Sequence, residues 1–265
     1  MKVRGVEISE KIGESAKFRI YLGNTEDGQK VIVKVAKTFE DGNTLAVELG
    51  KFNLLRCFAN QVSSYEERLG KTDSHYDWLF AELQSSFVEP TQGDRRINIF
   101  KVSDTELDSL IPLAKLYAGT EIDARSSIWI LGRFFKFYGF FELIAFDLDS
   151  NAPQYPIFSP NDYLLGVEKH RLIYYNFSGD TFDVIANDFV KAIAKYIVDW
   201  VVIGEDPKEQ EYLKLLQDFA TEGRRTFEQA HSELYDLVYK LWEIGYHPFT
   251  YRERGTLVWK TIKGE

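Results

Sequence analysis

Apolar and polar positions alternate along the first forty residues. "VEISEKIG", "KFRIYLG" and "KVIVKVAK" each carry a period of two, and they are separated by "GES" and by "NTEDGQ", whose Asp27-Gly28 pair is a strong turn signal. Three antiparallel strands are predicted. The period then changes: in "DGNTLAVELGKFNLLRCFANQV", Leu45, Leu49, Phe52 and Leu55 recur at helical spacing, with Asn43 or Thr44 as the cap. Period two returns in "LQSSFVE" and "RRINIFKV", joined by "PTQGD", so the sheet reaches five strands with one helix inserted after the third.

Beyond "SDTEL" the texture is helical. "LDSLIPLAKLYAG" and residues 126–146 read as helices, followed by two short strands within residues 155–180 and helices over 183–203, 207–222 and 226–244. "LVWKTI" near the end suits a strand or an extended tail. Leu215, Leu216, Phe219, Phe227, Leu234, Leu237 and Leu241 are expected in the core, while Tyr246, Phe249, Tyr251 and Trp259 must pack either on their own unit or on a partner. The expected architecture is α+β with two parts: residues 1–103, a five-stranded antiparallel sheet with one main helix, and residues 104–265, mostly helix.

The apolar run "IWILGRFFKFYGFFELIAF" contains Arg133, Lys136 and Glu142, each costly at mid-bilayer, and Ile130, Phe134, Phe137, Phe141 and Ile144 recur at spacings of four and three. A buried helix is expected there rather than a membrane span. The opening "MKVRGVEISEKIG" lacks the apolar stretch of a signal peptide, which points to the cytoplasm. With 32 basic against 41 acidic residues and a net charge of -9, the chain has no general attraction for nucleic acid or an anionic membrane. Cys57, the one cysteine, is expected as a core thiol, and the four histidines form no metal-binding spacing.

The order of these elements resembles that of the protein-kinase-like superfamily over nearly the whole chain, at four specific places. "KIGESAKFRIYLG" lies where the family has its glycine-rich phosphate loop: Gly13 is kept, and Ser15 and Phe18 stand at the next two glycine positions. "VIVKVAK" is similar to the family's lysine strand, about twenty residues after Gly13, which implies that Lys34 would meet the α- and β-phosphates of ATP. Glu48 in "LAVELGKF" matches the helix glutamate that pairs with that lysine.

The fourth place is "YPIFSPNDYLLGVEKHRLIYYNFSGD". Aligning "SPNDYLL" with the family's catalytic loop places Asp162 on the metal-holding asparagine and Ile157 on the catalytic base. An isoleucine accepts no proton. Asn176, fourteen residues beyond Asp162, replaces the magnesium-binding aspartate, with Phe177 and Ser178 after it. Asp147, Asp149 and Asp180 are nearby carboxylates of less fitting position.

The helical region is similar to a bacterial and phage group of divergent kinase-like proteins, some linked to J-domain chaperones. The resemblance implies a nucleotide-binding set of Gly13, Ser15, Lys34 and Glu48 and a metal set of Asp162 and Asn176, with ATP or ADP and Mg as the ligands, or none. Three readings follow: a pseudokinase that regulates or scaffolds an unidentified protein partner, an active atypical phosphotransferase using Lys34, Glu48 and Asp162, and a pure interaction domain without nucleotide.

Overall fold

The alternation of the first hundred residues becomes a six-stranded antiparallel sheet, where the sequence predicts five. In the computed structural model, which describes residues 2–70, 75–102, 110–147, 155–176, 181–182, 186–242 and 245–262, the extra strand is β1 (Lys2–Val3). It folds back on β2 (Val6–Glu14) through Arg4 and Gly5, both at positive φ (43° and 81°), the conformation of the tightest hairpin turn. A two-residue strand has too few positions to show a period, which is why the pattern hides it. The order is β1-β2-β3-β4-β6-β5, with β3 (Phe18–Asn24), β4 (Lys30–Ala36), β5 (Glu82–Glu89) and β6 (Arg95–Lys101).

Helix α1 (Gly42–Arg68) starts at Gly42, ahead of the predicted caps. Asp41, the flanking residue, turns its carboxylate back onto the N–H and hydroxyl of Thr38 instead of capping the helix. The buried stripe of α1 includes Leu45, Glu48, Phe52, Ala59 and Val62. Phe52 packs on Phe100 of β6, with ring centroids 5.1 Å apart. Cys57 is exposed rather than in the core, because its helical position lies away from this stripe.

β4 is buried on both faces. Val31, Val33 and Val35 join Val3, Val6, Ile97 and Ile99 in one core cluster, while Lys34 shares the opposite face with Ile32 and Ala36.

The chain divides into two compact units. The first holds Met1–Pro112 together with Asn161–Leu164 and Ile173–Gly179; the second holds Leu113–Pro160, Leu165–Leu172 and Asp180–Glu265. In the first unit the region read as one helix over "LDSLIPLAKLYAG" begins with β7 (Leu110–Pro112), since Pro112 cannot donate within a helix. The second unit contains α2 (Leu113–Gly119), β8 (Thr120–Asp123), α3 (Ala124–Asp147), β9 (Tyr155–Pro156), β12 (Thr181–Phe182), α4 (Ala186–Val198), β13 (Val201–Val202), α5 (Pro207–Thr221), α6 (Phe227–Leu241), β14 (Phe249–Glu253) and β15 (Lys260–Ile262). β10 (Tyr163–Gly166) and β11 (Arg171–Tyr174) each have residues assigned to both units and order with β7 as β11-β10-β7.

Helices α5 and α6 begin at built caps. Asp206 accepts from Lys208 N, with Pro207 in the first helical position, and Thr226 accepts from Gln229 N. Leu216, Phe219, Phe227, Leu234 and Leu241 are buried, and Leu215 and Leu237 half-buried. α3 is lined on nearly every side by buried aromatic and aliphatic residues from Ile128 to Phe141. Among the described residues, no helix is long and apolar enough to cross a membrane. The aromatic tail contributes strands of a four-stranded sheet, β13-β8-β14-β15, in a unit predicted as mostly helix. Phe249 is fully buried there, while Trp259 stays 39% exposed.

Candidate functional site

Lys34 sits in the middle of β4 with no exposed surface at all. An ammonium in such a place needs a counter-charge, because an isolated buried cation is far costlier than a paired one. Glu48 supplies it: one turn along α1 from Leu45, its carboxylate is 2% exposed and accepts a hydrogen bond from the Lys34 ammonium. Asn98, directly across from Lys34 on β6, ties the arrangement down by donating its side-chain amide to the carbonyl of Leu45 at 2.8 Å. That bond docks the first turns of α1 on the sheet. Sequence reading missed Asn98, although a lone amide inside "INIF" on the face opposite Ile97 and Ile99 was a usable signal.

Asp162 and Asn176 join this pair. Tyr174 at the end of β11 packs on Phe52 at 6.1 Å, and its carbonyl accepts from Ala81 N at 3.0 Å. Tyr175 N donates to the Asp162 carbonyl at 3.0 Å, and the Tyr175 hydroxyl donates to the Asn161 carbonyl. These contacts leave Asn176 beside Lys34, whose ammonium donates to Asn176 Oδ1 at 2.9 Å, while Asn176 Nδ2 donates to Asp162 Oδ1 at 2.5 Å. The result is a relay from Glu48 through Lys34 and Asn176 to Asp162, all buried and all within the first unit.

The charges do not balance. With every group ionised, two carboxylates share one ammonium. Burial pushes the Lys34 pKa below its ordinary value, opposed by the charge and hydrogen bond of Glu48. Burial pushes Asp162 up to about 6, against the lowering effects of the Asn176 hydrogen bond and the Lys34 charge, and with Glu48 adding to the rise. The site therefore disfavours a second negative charge.

Four rings surround the ammonium: Phe18 and Phe100 at 5.3 Å from ring centroid to Nζ, Phe52 at 5.9 Å and Tyr175 at 6.0 Å. Phe18, at a glycine position of the phosphate loop in the resemblance, is only 3% exposed and turned inward. The adjoining loop is closed on itself. Ser15 Oγ accepts from Lys17 N at 3.2 Å and from Phe18 N at 3.1 Å, and Ser15 N donates to the Phe18 carbonyl at 2.9 Å. Gly13 lies within β2 at a register irregularity, and a Cβ there would meet only the Ile20 side chain at 3.4 Å.

Ile157 follows β9 in the second unit and is 47% exposed. Asp149, Phe177, Ser178 and Asp180 lie outside the described residues. Thus Lys34, Glu48, Asp162 and Asn176 converge, whereas Gly13 and Ser15 make no contact with them among the hydrogen bonds of the described residues.

No protein-family model matches the chain, and no curated protein matches it. Among solved structures, one described as an apo pseudokinase is similar over 90% of this chain and 93% of its own, with a TM-score of 0.55 and 8% sequence identity. A likeness at that identity shows a kinase-like fold and no more.

Proposed function

We propose that this chain is a pseudokinase: a module that keeps a kinase-like fold, transfers no phosphate, and acts by regulating or scaffolding an unidentified protein partner. One observation carries the reading, the condition of Lys34. Its ammonium is wholly buried, hydrogen-bonded to Glu48 and Asn176, and enclosed by four rings. A phosphate would have to displace Phe18, whose burial is worth about 2 kcal/mol, and compete with a carboxylate already in contact.

The donor set fits ATP or ADP with Mg poorly. Backbone N–H groups that would cradle phosphate are engaged by Ser15, the one carbonyl oxygen of Asn176 faces Lys34, and Asp162 accepts from Asn176 in surroundings that resist its ionisation. Phosphoryl transfer depends on positioning and charge neutralisation, so these departures touch its central requirements. Ile157, at the position of the base in the resemblance, offers no acceptor. The lysine and glutamate serve here as an internal strut between β4 and α1.

The convergence of Lys34, Glu48 and Asp162 favours one second reading, an atypical phosphotransferase in which Asp162 holds the metal. Thermal unfolding with ATP or ADP, with and without Mg2+ or Mn2+, separates them, since a ligand that binds only the folded chain must raise the melting temperature. A flat response is expected. ATP turnover that disappears in both Lys34→Ala and Asp162→Asn would overturn the pseudokinase reading; the second variant keeps the Asn176 hydrogen bond and guards against simple unfolding.

A further inference from the structure

One end of the six-stranded sheet gathers cations from three consecutive strands. Period two carries β4 from Val31 through Val33 and Val35 to Lys37, just past its end, on the face opposite Lys34. β3 sets Arg19 directly across from Val35 on that same face. Glu14, the last residue of β2, pairs in register with Arg19. Its carboxylate collects Lys37 at 2.6 Å and Arg19 at 3.6 Å on Oε1, and Lys11 on Oε2. Three cations thus converge on one anion. The hairpin tip that holds them is closed: Ser15 N donates to the Phe18 carbonyl at 2.9 Å, and Lys37 N donates to the Lys17 carbonyl at 2.8 Å, which sets exposed Lys17 next to Lys37.

The charges there are uneven. Lys11, Arg19 and Lys37 against Glu14 leave an excess of two positive charges, in a chain whose net charge is -9. The four side chains are 28–48% exposed, so the pairs between them are weak in water and exchange readily. Hydrogen bonds from Lys11 and Lys37 hold the Glu14 pKa down at about 2, so an anion sits among the cations at neutral pH.

We propose that this cluster is a docking site for a phosphoserine or phosphothreonine of the partner protein, with the phosphate replacing Glu14 between Lys11, Arg19 and Lys37. The inference rests on the reading of the chain as a partner-binding module and not on its nucleotide chemistry, since Lys34 lies on the other face of β4. A phosphate monoester brings about two negative charges and three acceptor oxygens, one for each cation, where a carboxylate brings one charge and two oxygens. Arg19 suits it in particular, because the planar guanidinium matches phosphate geometry. A long polyanion fits worse: the acidic remainder of the chain repels it beyond this spot, whereas a single phosphate meets only the local field. A free phosphate would find only exposed charges, whereas a peptide also brings its flanking residues to the surface.

Titration of the isotope-labelled full chain with a degenerate phosphoserine and phosphothreonine peptide library, followed by NMR amide shifts, tests this. The library is expected to shift the amides of Lys11, Lys17, Arg19 and Lys37 and to bind about tenfold more tightly than the same library after dephosphorylation. Lys11→Glu and Lys37→Glu should each abolish binding with the melting temperature nearly unchanged, since both side chains reach water. Glu14→Gln should strengthen binding, because it removes the competing anion; a cluster that serves only to hold the hairpin would gain nothing. The pseudokinase reading is judged apart from this, by ATP turnover and its loss in the Lys34 and Asp162 variants. No shift at millimolar library, inorganic phosphate binding as tightly as the phosphopeptides, a single-stranded oligonucleotide binding more tightly than they do, or Glu14→Gln failing to strengthen binding overturns the proposal.

Discussion

Replacing Asp162 by asparagine should make the protein more stable at neutral pH. Asp162 is 4% exposed, and its folded-state pKa is raised from 3.8 to about 6. A raised carboxylate pKa means that the folded chain holds the proton more tightly than the unfolded one. Stability is therefore greatest below the unfolded value, falls as pH rises from 3.8 to about 6, and stays reduced above it. At about 1.4 kcal/mol per pH unit the ionised carboxylate costs about 3 kcal/mol at pH 7. Asparagine removes that cost and keeps an oxygen to accept the Asn176 amide, as Asp162 Oδ1 does at 2.5 Å. Urea unfolding of wild type and variant at a series of pH values is the assay. The expected result is a variant more stable by about 3 kcal/mol at pH 7, with the difference shrinking to near zero by about pH 4. A variant less stable than wild type at neutral pH, or a gap that does not close in acid, would refute the charge imbalance inferred at this site.

The other predictions concern single contacts. Lys34→Met leaves Glu48 buried without its cation and should cost about 3–5 kcal/mol in urea unfolding, most of which Lys34→Met with Glu48→Leu recovers; a neutral single variant would refute the strut. Asn176→Asp sets a second carboxylate beside Asp162, where both cannot readily ionise, so the melting temperature should fall further than that of the wild type as pH rises through the Asp162 value of about 6. Glu142 on α3 accepts from Phe227 N at 2.9 and 3.0 Å and from the Tyr155 hydroxyl at 3.1 Å, so Glu142→Ala should cost about 2 kcal/mol by denaturant titration. Gly223 has φ +69°, and a Cβ there would fall 1.7 Å from Asn187 Oδ1 and 2.7 Å from its carbonyl oxygen. Gly223→Ala should therefore lower the melting temperature by several degrees, about 2 kcal/mol.

Local pattern made some of this protein legible and left other parts dark. Period two named β2 through β6 because each has at least seven residues, whereas β1, β8 and β13 are too short to carry a period. Lys34, Glu48, Asp162 and Asn176 stood out because each occupies a place where the kinase-like order of elements sets an expectation. Asn98 and the inward Phe18 ring did not, since their roles arise from strand pairing and from rotamers. Cys57 was misplaced for a similar reason: an apolar neighbourhood in sequence says nothing about which side of a helix faces the sheet.

Element type and order are short-range properties, set by side-chain periodicity, turns and caps within a dozen residues, and the chain declares them in its own text. Whether a lysine on one strand meets a glutamate on a helix and an asparagine far along the chain is a long-range property. It follows from aromatic packing of Phe52 on Phe100 and Tyr174, which draws distant segments together and excludes water from between them. Only that packing turns four polar residues of ordinary appearance into a buried relay, and makes one carboxylate, Asp162, reluctant to carry its charge.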